Sequence, residues 1–289
     1  LYNSKKEKVL LDVISMNDIS VFGSTGYIGN TFCEKYPDKI TRIDRNSKDF
    51  DTNQSLYFIS TTTNQNVFKD IHIDIDTNLN LFVDILSKCK DRDIIFNFIS
   101  SGFVYGNDII DYKEWHSCNP TGFYSITKRT AEQLLISYCK TFGIKYRILR
   151  IGNVYGFDKT VTPGKNVLGY MISLLKNNEP IKLFDGGDYL KDYMSVNDVC
   201  RAIDLVIEKG EVNEIYNIAS GTSQSFRSII TTARDILGSK SELIDVSMPE
   251  NQKYIQVKNM TLNIEKLKDL GFFCEMNLLE GLHKLCDLY

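Results

Sequence analysis

Apolar runs of strand length that alternate with helical patterns predict an α/β chain built on a doubly wound parallel sheet. Three observations carry that prediction. The strand-like runs are apolar nearly throughout, as strands covered on both faces are. A glycine turn, "GSTGYIG" (23–29), joins the first run to a helical stretch. A long helical stretch from residue 125 is closed by Gly143, a residue type suited to the left-handed helix end.

The elements follow in order. "DISVF" (18–22) reads as a short buried strand, followed by the glycine turn and a helix from about Asn30 to Tyr36. "KITRID" (39–44) and "SLYFIS" (55–60) are the second and third strands. A helical stretch, "NLNLFVDILSKCK" (78–90), leads to the strand "DIIFNFIS" (93–100). The long helix "SITKRTAEQLLISYCKTF" (125–142) precedes the strand "KYRILRI" (145–151). Beyond 151 the rhythm loosens. A helix near 166–177, the strand "IKLF", a helix near 197–208, the strand "EIYNIA" and helices near 225–237 and 277–288 complete the chain. The expected division is a nucleotide-binding domain over 18–165, continued by segments near 181–220, and an interleaved smaller lobe over most of 166–289. An N-terminal extension, 1–17, carries the helix-like "EKVLLDVISM".

At 289 residues and 43% hydrophobic, the chain can bury one large core, or a large core plus a small one. A net charge of −3 gives no basic footprint for nucleic acid or a membrane face. The seven cysteines, at 33, 89, 118, 139, 200, 274 and 286, show no C-x-x-C pair, and the three histidines are scattered. Neither a disulfide framework nor a metal site is expected, and a reducing cytoplasm fits best. No apolar run approaches the ~18 residues of a membrane span. The start lacks the apolar core of a secretory leader. It also lacks an initiator Met, so the first residues are expected to be missing or processed.

The chemistry-bearing residues cluster at the ends of strands. Gly23 follows the first strand and Gly29 opens a helix, so unpaired N–H groups and a positive dipole end face a pyrophosphate there. Asp44 ends the next strand, where a carboxylate accepts ribose hydroxyls. Arg45 beside it is suited instead to a 2′-phosphate, which favours NAD and leaves NADP open. "SSGFVYG" (100–106) lies at the carboxyl end of the fourth strand, where open α/β sheets bind ligands. In "YSITK", Tyr124 and Lys128 are i and i+4, on one helix face. An ammonium beside a phenol favours the phenolate and tunes tyrosine toward acid/base work. Trp115, His116, Cys118 and Phe123 read as packing residues near this loop. Asp185, Gly186, Gly187 and Asp188 read as a turn, with too few oxygen ligands for a metal.

Together with "RIGNVYG" (150–156), "LFDGGDYLKDYMSVNDV" (183–199) and "EIYNIASG" (214–221), these motifs resemble the extended short-chain dehydrogenase/reductase superfamily, in particular its nucleotide-sugar epimerase, dehydratase and reductase group. The resemblance runs from about residue 18 onward. It implies a Rossmann-type domain with a substrate lobe, and a catalytic set of Ser101, Tyr124 and Lys128. Tyr124 would be the acid/base, Lys128 would bind the nicotinamide ribose, and Ser101 would orient the reacting oxygen. The cofactor residues implied are Gly23, Ser24, Thr25, Gly26, Tyr27, Ile28, Gly29, Asp44, Arg45, Ser60, Thr61, Thr62, Asn78 and Ile151, with Tyr124 and Lys128. The substrate residues are Ser101, Asn153, Lys191 and Lys253, the two lysines standing where the family often has diphosphate-binding arginines. The partner implied is a nucleotide-diphosphate sugar, and the assembly a homodimer through the helix that starts at Tyr124.

Two departures from the family pattern sharpen the expectation. Only residues 45–54 separate Asp44 from the next strand, so the usual edge strand over the adenine is missing. The 1–17 extension is expected to cover that edge. Next to the catalytic Ser/Thr, the dehydratase branches place Asp-Glu or Glu and the fucose-synthase branch a cysteine. Here stand Gly102 and Phe103, which carry no protons. The expected reaction is therefore hydride transfer at C4 of a nucleotide-linked hexose, by an epimerase or an NADPH-dependent 4-ketoreductase. The competing expectation is a cofactor-binding member without catalysis.

Overall fold

A computed structural model describes residues 19–107, 110–157 and 166–289 of the chain. The 1–17 extension lies outside the described residues. Six strands form one parallel sheet: β1 (Ile19–Phe22), β2 (Ile40–Arg42), β3 (Gln54–Tyr57), β4 (Ile95–Ser101), β5 (Lys145–Ile151) and β10 (Glu214–Ile218). Their spatial order is β10-β5-β4-β3-β1-β2. Val21 sits between Arg42 and Leu56, and Leu149 between Ile99 and Tyr216. No described strand lies outside β2, whose Thr41 and Arg42 are exposed.

Both faces of the sheet are covered, which is why its strands are apolar nearly throughout. On one face α1 (Tyr27–Lys35) and α5 (Val196–Lys209) bury Phe32, Val199, Ile203 and Val206 against Val21 and Leu149. On the other, α2 (Leu81–Ser87) and α3 (Phe123–Phe142) bury Phe82, Ala131 and Leu135 against Phe22, Tyr57, Phe96, Phe98 and Ile148. A third core forms where α4 (Val167–Lys176), α6 (Phe226–Leu237) and α7 (Leu278–Leu288) pack around β7 (Ile181–Phe184) and β12 (Leu243–Val246), with Leu168, Ile172, Leu183, Ile229 and Leu285 inside. Between β5 and β10 the chain also makes β6 (Asn153–Tyr155), β8 (Leu190–Lys191) and β9 (Tyr193–Ser195). β6 pairs in parallel with β9, and β8 pairs with β11 (Gln224–Ser225).

The helix ends have local causes. Ser195 caps α5 by accepting from Asp198 N at 3.1 Å, and Asn277 caps α7 with Glu280 closing the capping box. Gly143 ends α3 at φ +69°. Two helices start earlier than the periodicity indicates. α1 begins at Tyr27, so Gly29 lies inside its first turn, and α3 begins at Phe123, so Tyr124 is already helical. The 78–90 stretch is not one helix: a π-turn over Asp76–Asn80 precedes α2. No helix among the described residues is long and apolar enough to cross a membrane.

Candidate active site

The glycine turn is built by close approach. Gly23 has φ +79°, where a side chain is strained, and a Cβ there would lie 3.0 Å from Ile59 N. A Cβ on Gly29 would meet Gly23 O at 2.4 Å, so only glycine lets α1 pack this tightly on the strand end. Gly26 caps α1 with no side-chain hydrogen bond to the helix's first turn. Arg42 crosses to the same turn: its Nη1 donates to Ser24 O at 2.8 Å and to Asn30 Oδ1 at 3.1 Å. Asp44 is exposed just beyond β2, and its Oδ1 accepts from Asn46 N at 2.9 Å. Arg45 is exposed beside it.

Past the end of β3, a polar cluster surrounds Asn78. Asn78 Oδ1 accepts from Ser60 Oγ at 3.1 Å and Thr61 N at 2.9 Å. Its Nδ2 donates to Thr61 Oγ1 and to Thr127 Oγ1, both at 2.9 Å. Asp74, also buried, accepts from Thr61 Oγ1 and from Asn66 Nδ2. Asn78 lies within the π-turn, a distortion common at functional sites. Thr62 stays exposed.

Ser101 ends β4, beside Ile151 at the end of β5. Its Oγ accepts from Phe103 N at 3.2 Å. Tyr124 stands in the first turn of α3, where its phenol feels the Ser101 and Ser60 hydroxyls. Burial pushes this phenol above its usual value, and the two serines only partly offset that. Phe103 stands edge-on to its ring, 6.1 Å between centroids.

Lys128 is almost fully buried. Its Nζ donates to Ile99 O at 2.6 Å and stands 4.2 Å over the Phe98 ring. Burial pushes its ammonium down to about 7. The lysine does not pull the phenol down, contrary to what their helical spacing suggests. Beneath them, Arg150 forks onto Glu132 at 2.8 and 3.0 Å, and Ser100 Oγ also donates to Glu132. Burial would raise the Glu132 carboxyl, but Arg150, with Ser100 and Arg129, holds it below the usual carboxylate range. Removing one partner of such a pair strands the other charge, at about 3–5 kcal/mol.

The expected substrate residues are less uniform. Asn153 Nδ2 donates to Asp192 O at 3.0 Å. Lys191 is half-buried, donates to Val257 O at 2.7 Å, and has its ammonium pushed down to about 8 by burial. Lys253 is exposed and paired with Glu250 at 2.5 Å. Sequence reasoning passed over Asp192. Buried, it anchors the 220–221 loop by accepting from Ser220 N (2.9 Å), Ser220 Oγ (2.6 Å) and Gly221 N (2.8 Å). Burial raises its carboxyl to about 6 against these bonds. Gly102, next to Ser101, faces a wall: a Cβ would lie 2.7 Å from Met260 Sδ and 3.1 Å from Leu262 Cδ1.

Residues 40–219 match the model of the NAD dependent epimerase/dehydratase family. The match begins at β2, so the glycine turn stands on its own geometry. A putative UDP-glucose 4-epimerase of Methanocaldococcus jannaschii is 30% identical over 218 residues, covering 74% of this chain and 69% of that one. A trifunctional UDP-glucose 4,6-dehydratase/UDP-4-keto-6-deoxy-D-glucose 3,5-epimerase/UDP-4-keto-L-rhamnose-reductase of Arabidopsis thaliana is 32% identical over 216 residues. That match covers 71% of this chain and 31% of the plant protein, so the chain corresponds to under a third of the relative's length. The structure of UDP-glucose 4-epimerase from Thermus thermophilus with NAD superposes with a TM-score of 0.83 at 20% identity, over 93% of this chain and 98% of that one. At that identity the likeness is one of fold. The family is NAD dependent by its description, and structures of this fold hold NAD or NADPH. With the match over residues 40–219 and the archaeal relative together, the chain belongs to the NAD-dependent epimerase/dehydratase family.

Proposed function

We propose that the chain binds a nicotinamide dinucleotide and catalyses hydride transfer at C4 of a nucleotide-linked hexose, with Ser101, Tyr124 and Lys128 as its catalytic residues. The observation that carries this reading is the meeting of Ser101 and Tyr124 at the strand ends, with Lys128 buried one turn further along the same helix. The N-terminus of α1, over Gly23, Ser24, Thr25, Gly26, Tyr27, Ile28 and Gly29, would hold the pyrophosphate. Asp44 would take the adenosine ribose. Ser60, Thr61, Thr62, Asn78 and Ile151 would line the path toward the nicotinamide. When bound, that group supplies a hydride acceptor or donor.

The rest of the chemistry belongs to this chain. Tyr124 takes or gives the proton on the O4 oxygen, Ser101 holds that oxygen in place, and Lys128 donates to the nicotinamide ribose. Asn153 would sit at the border with the sugar. Lys191 and Lys253 would meet the diphosphate as point charges, Lys253 leaving Glu250 to do so. Loss of water across C5–C6 needs further proton carriers beside Ser101. Gly102 packs on Met260 and Leu262, and Phe103 presents a ring to Tyr124, so neither supplies one.

A second reading, an NADPH-dependent 4-ketoreductase, is favoured by Arg42 and Arg45 flanking Asp44, since cations there suit a 2′-phosphate. UDP-, GDP-, CDP- and dTDP-hexoses, supplied with each coenzyme and followed by NMR, distinguish the two. A C4-inverted sugar supports the first and a coenzyme-consuming 4-reduction the second. A 4-keto-6-deoxy product formed with loss of water defeats both. Flat binding isotherms for NAD(H) and NADP(H) would also defeat both, whereas coenzyme binding without turnover of any of these sugars would leave a cofactor-binding member without catalysis.

We also propose a homodimer through α2 and α3. Val83 on α2 and Phe123, Ile126, Leu134 and Phe142 on α3 are all exposed apolar side chains. A closed two-fold pair is the commonest way to cover such faces. Light scattering at micromolar concentration is expected to give twice the chain mass of 33.1 kDa, and the monomer mass would refute the dimer.

A further inference from the structure

Residues 255–258 form an irregular strap whose backbone is held by side chains from three separate places. Asn64 Nδ2 donates to Ile255 O at 2.9 Å, Asn107 Nδ2 to Gln256 O at 3.0 Å, and Lys191 Nζ to Val257 O at 2.7 Å. Asn107 Oδ1 also accepts from Lys258 N at 2.6 Å. These ties occupy the strap's carbonyls, while the Ile255 and Gln256 N–H groups donate back to Gln252 O at 3.1 and 3.0 Å. Asn64 has a second commitment. Its Oδ1 accepts from Ser125 N at 3.1 Å and Ser125 Oγ at 3.3 Å, in the first turn of α3 and next to Tyr124. Asn64 is 5% exposed, and Gly122 backs it so closely that a Cβ there would lie 2.1 Å from Asn64 Cγ.

We infer that Asn64 is a positioning residue that couples the 255–258 strap to the first turn of α3, and through it to Tyr124. One planar amide donates to the strap on one side and accepts from α3 on the other, so displacement of Ile255 O turns the group that holds Ser125. The functional half rests on the proposed roles of Tyr124 and Lys191. The Lys191 ammonium serves either Val257 O or a phosphate oxygen. A nucleoside diphosphate that draws it away frees one tie, and Asn64 passes the change to the acid/base.

Hydrogen exchange on the full chain, without substrate, tests the coupling independently of the reaction. Asn107→Ala cuts the outer ties of the strap and touches nothing in α3. Exchange across 254–260 is expected to quicken by about fivefold for each of the two neutral hydrogen bonds lost, roughly thirtyfold together. A smaller rise is expected across 122–127. Asn64→Asp keeps the acceptor for Ser125 and loses the donor to Ile255 O. In that background Asn107→Ala should quicken 254–260 and leave 122–127 unmoved. Such non-additivity is what a coupling residue produces and a merely structural one does not.

The inference is overturned if Asn107→Ala leaves either segment unchanged in the wild-type chain, or moves 122–127 equally in both backgrounds. The first of these comparisons stands even if Asn64→Asp does not fold. In turnover of the nucleotide sugar, Asn107→Ala should raise KM and lower kcat in the wild-type chain but raise only KM with Asn64→Asp. A rise in KM alone in both backgrounds removes the link to Tyr124. Absence of turnover in the wild-type chain counts against the proposed reaction, and the exchange result is unaffected by it.

Discussion

Tyr124→Phe is expected to slow turnover by ~10²–10⁴-fold, the usual contribution of a positioned acid/base, while cofactor affinity stays nearly intact. The substitution removes one oxygen and keeps the ring. Its edge contact with Phe103 survives, and so does the first turn of α3, whose backbone is held by Asn64 rather than by the phenol. The oxygen it removes is the proposed proton carrier, and the Ser101 and Ser60 hydroxyls act on it. Burial raises the phenol above its usual value, so it carries its proton at neutral pH, as the proposed acid for reduction at C4 must. In the oxidising direction it must first lose that proton. The rate should then climb with pH on the alkaline side, and Tyr124→Phe should flatten the climb. A variant with wild-type activity would show that some other group moves the proton.

Much of this arrangement was legible locally. The glycine turn, the alternation of strands with helices and the i, i+4 pair of Tyr124 and Lys128 all reflect neighbours in sequence, and each recurs in the fold. What was not legible depends on distant partners. Asn64 meets Ile255 across 191 positions, and no local pattern marks either end. Asp192 hides inside a motif noticed for its lysine, and its role appears only when β10 delivers Ser220 and Gly221 to it. Gly102 looked like a missing proton carrier; the fold adds that its place is filled from outside the segment, by Met260 and Leu262. Lys128 shows the limit of spacing as a guide. Helical periodicity places it on the face of Tyr124, but Ile99 O and the Phe98 ring decide where its ammonium goes, and burial decides its charge.

Lys128→Met is expected to abolish most turnover, by about 10²-fold or more, to weaken cofactor binding, and yet to stabilise the cofactor-free fold near neutral pH. The sign of the linkage sets the direction of the effect. The ammonium is pushed down to about 7 in the folded chain from an ordinary value of 10.5. Between those two values the unfolded chain binds more protons than the folded one, so this group makes stability rise with pH across that window. Below about 7 the cost of burying the charge is fully present. Methionine is of similar length, carries no charge, and makes favourable contacts with an aromatic ring such as Phe98. Against the gain stands one lost hydrogen bond from the ammonium to Ile99 O, about 1.5–3 kcal/mol for a charged donor, which is smaller than the penalty implied by so large a displacement of the ammonium. Thermal melts at pH 6.5 without added cofactor should show the variant higher by on the order of 5 °C. The advantage should shrink by pH 9.5, where the wild-type lysine is already neutral in the fold. A variant that melts below the wild-type chain at pH 6.5 would mean that the buried ammonium is not costly. Stabilisation together with lost activity would mark Lys128 as a residue kept for its chemistry at the expense of the fold.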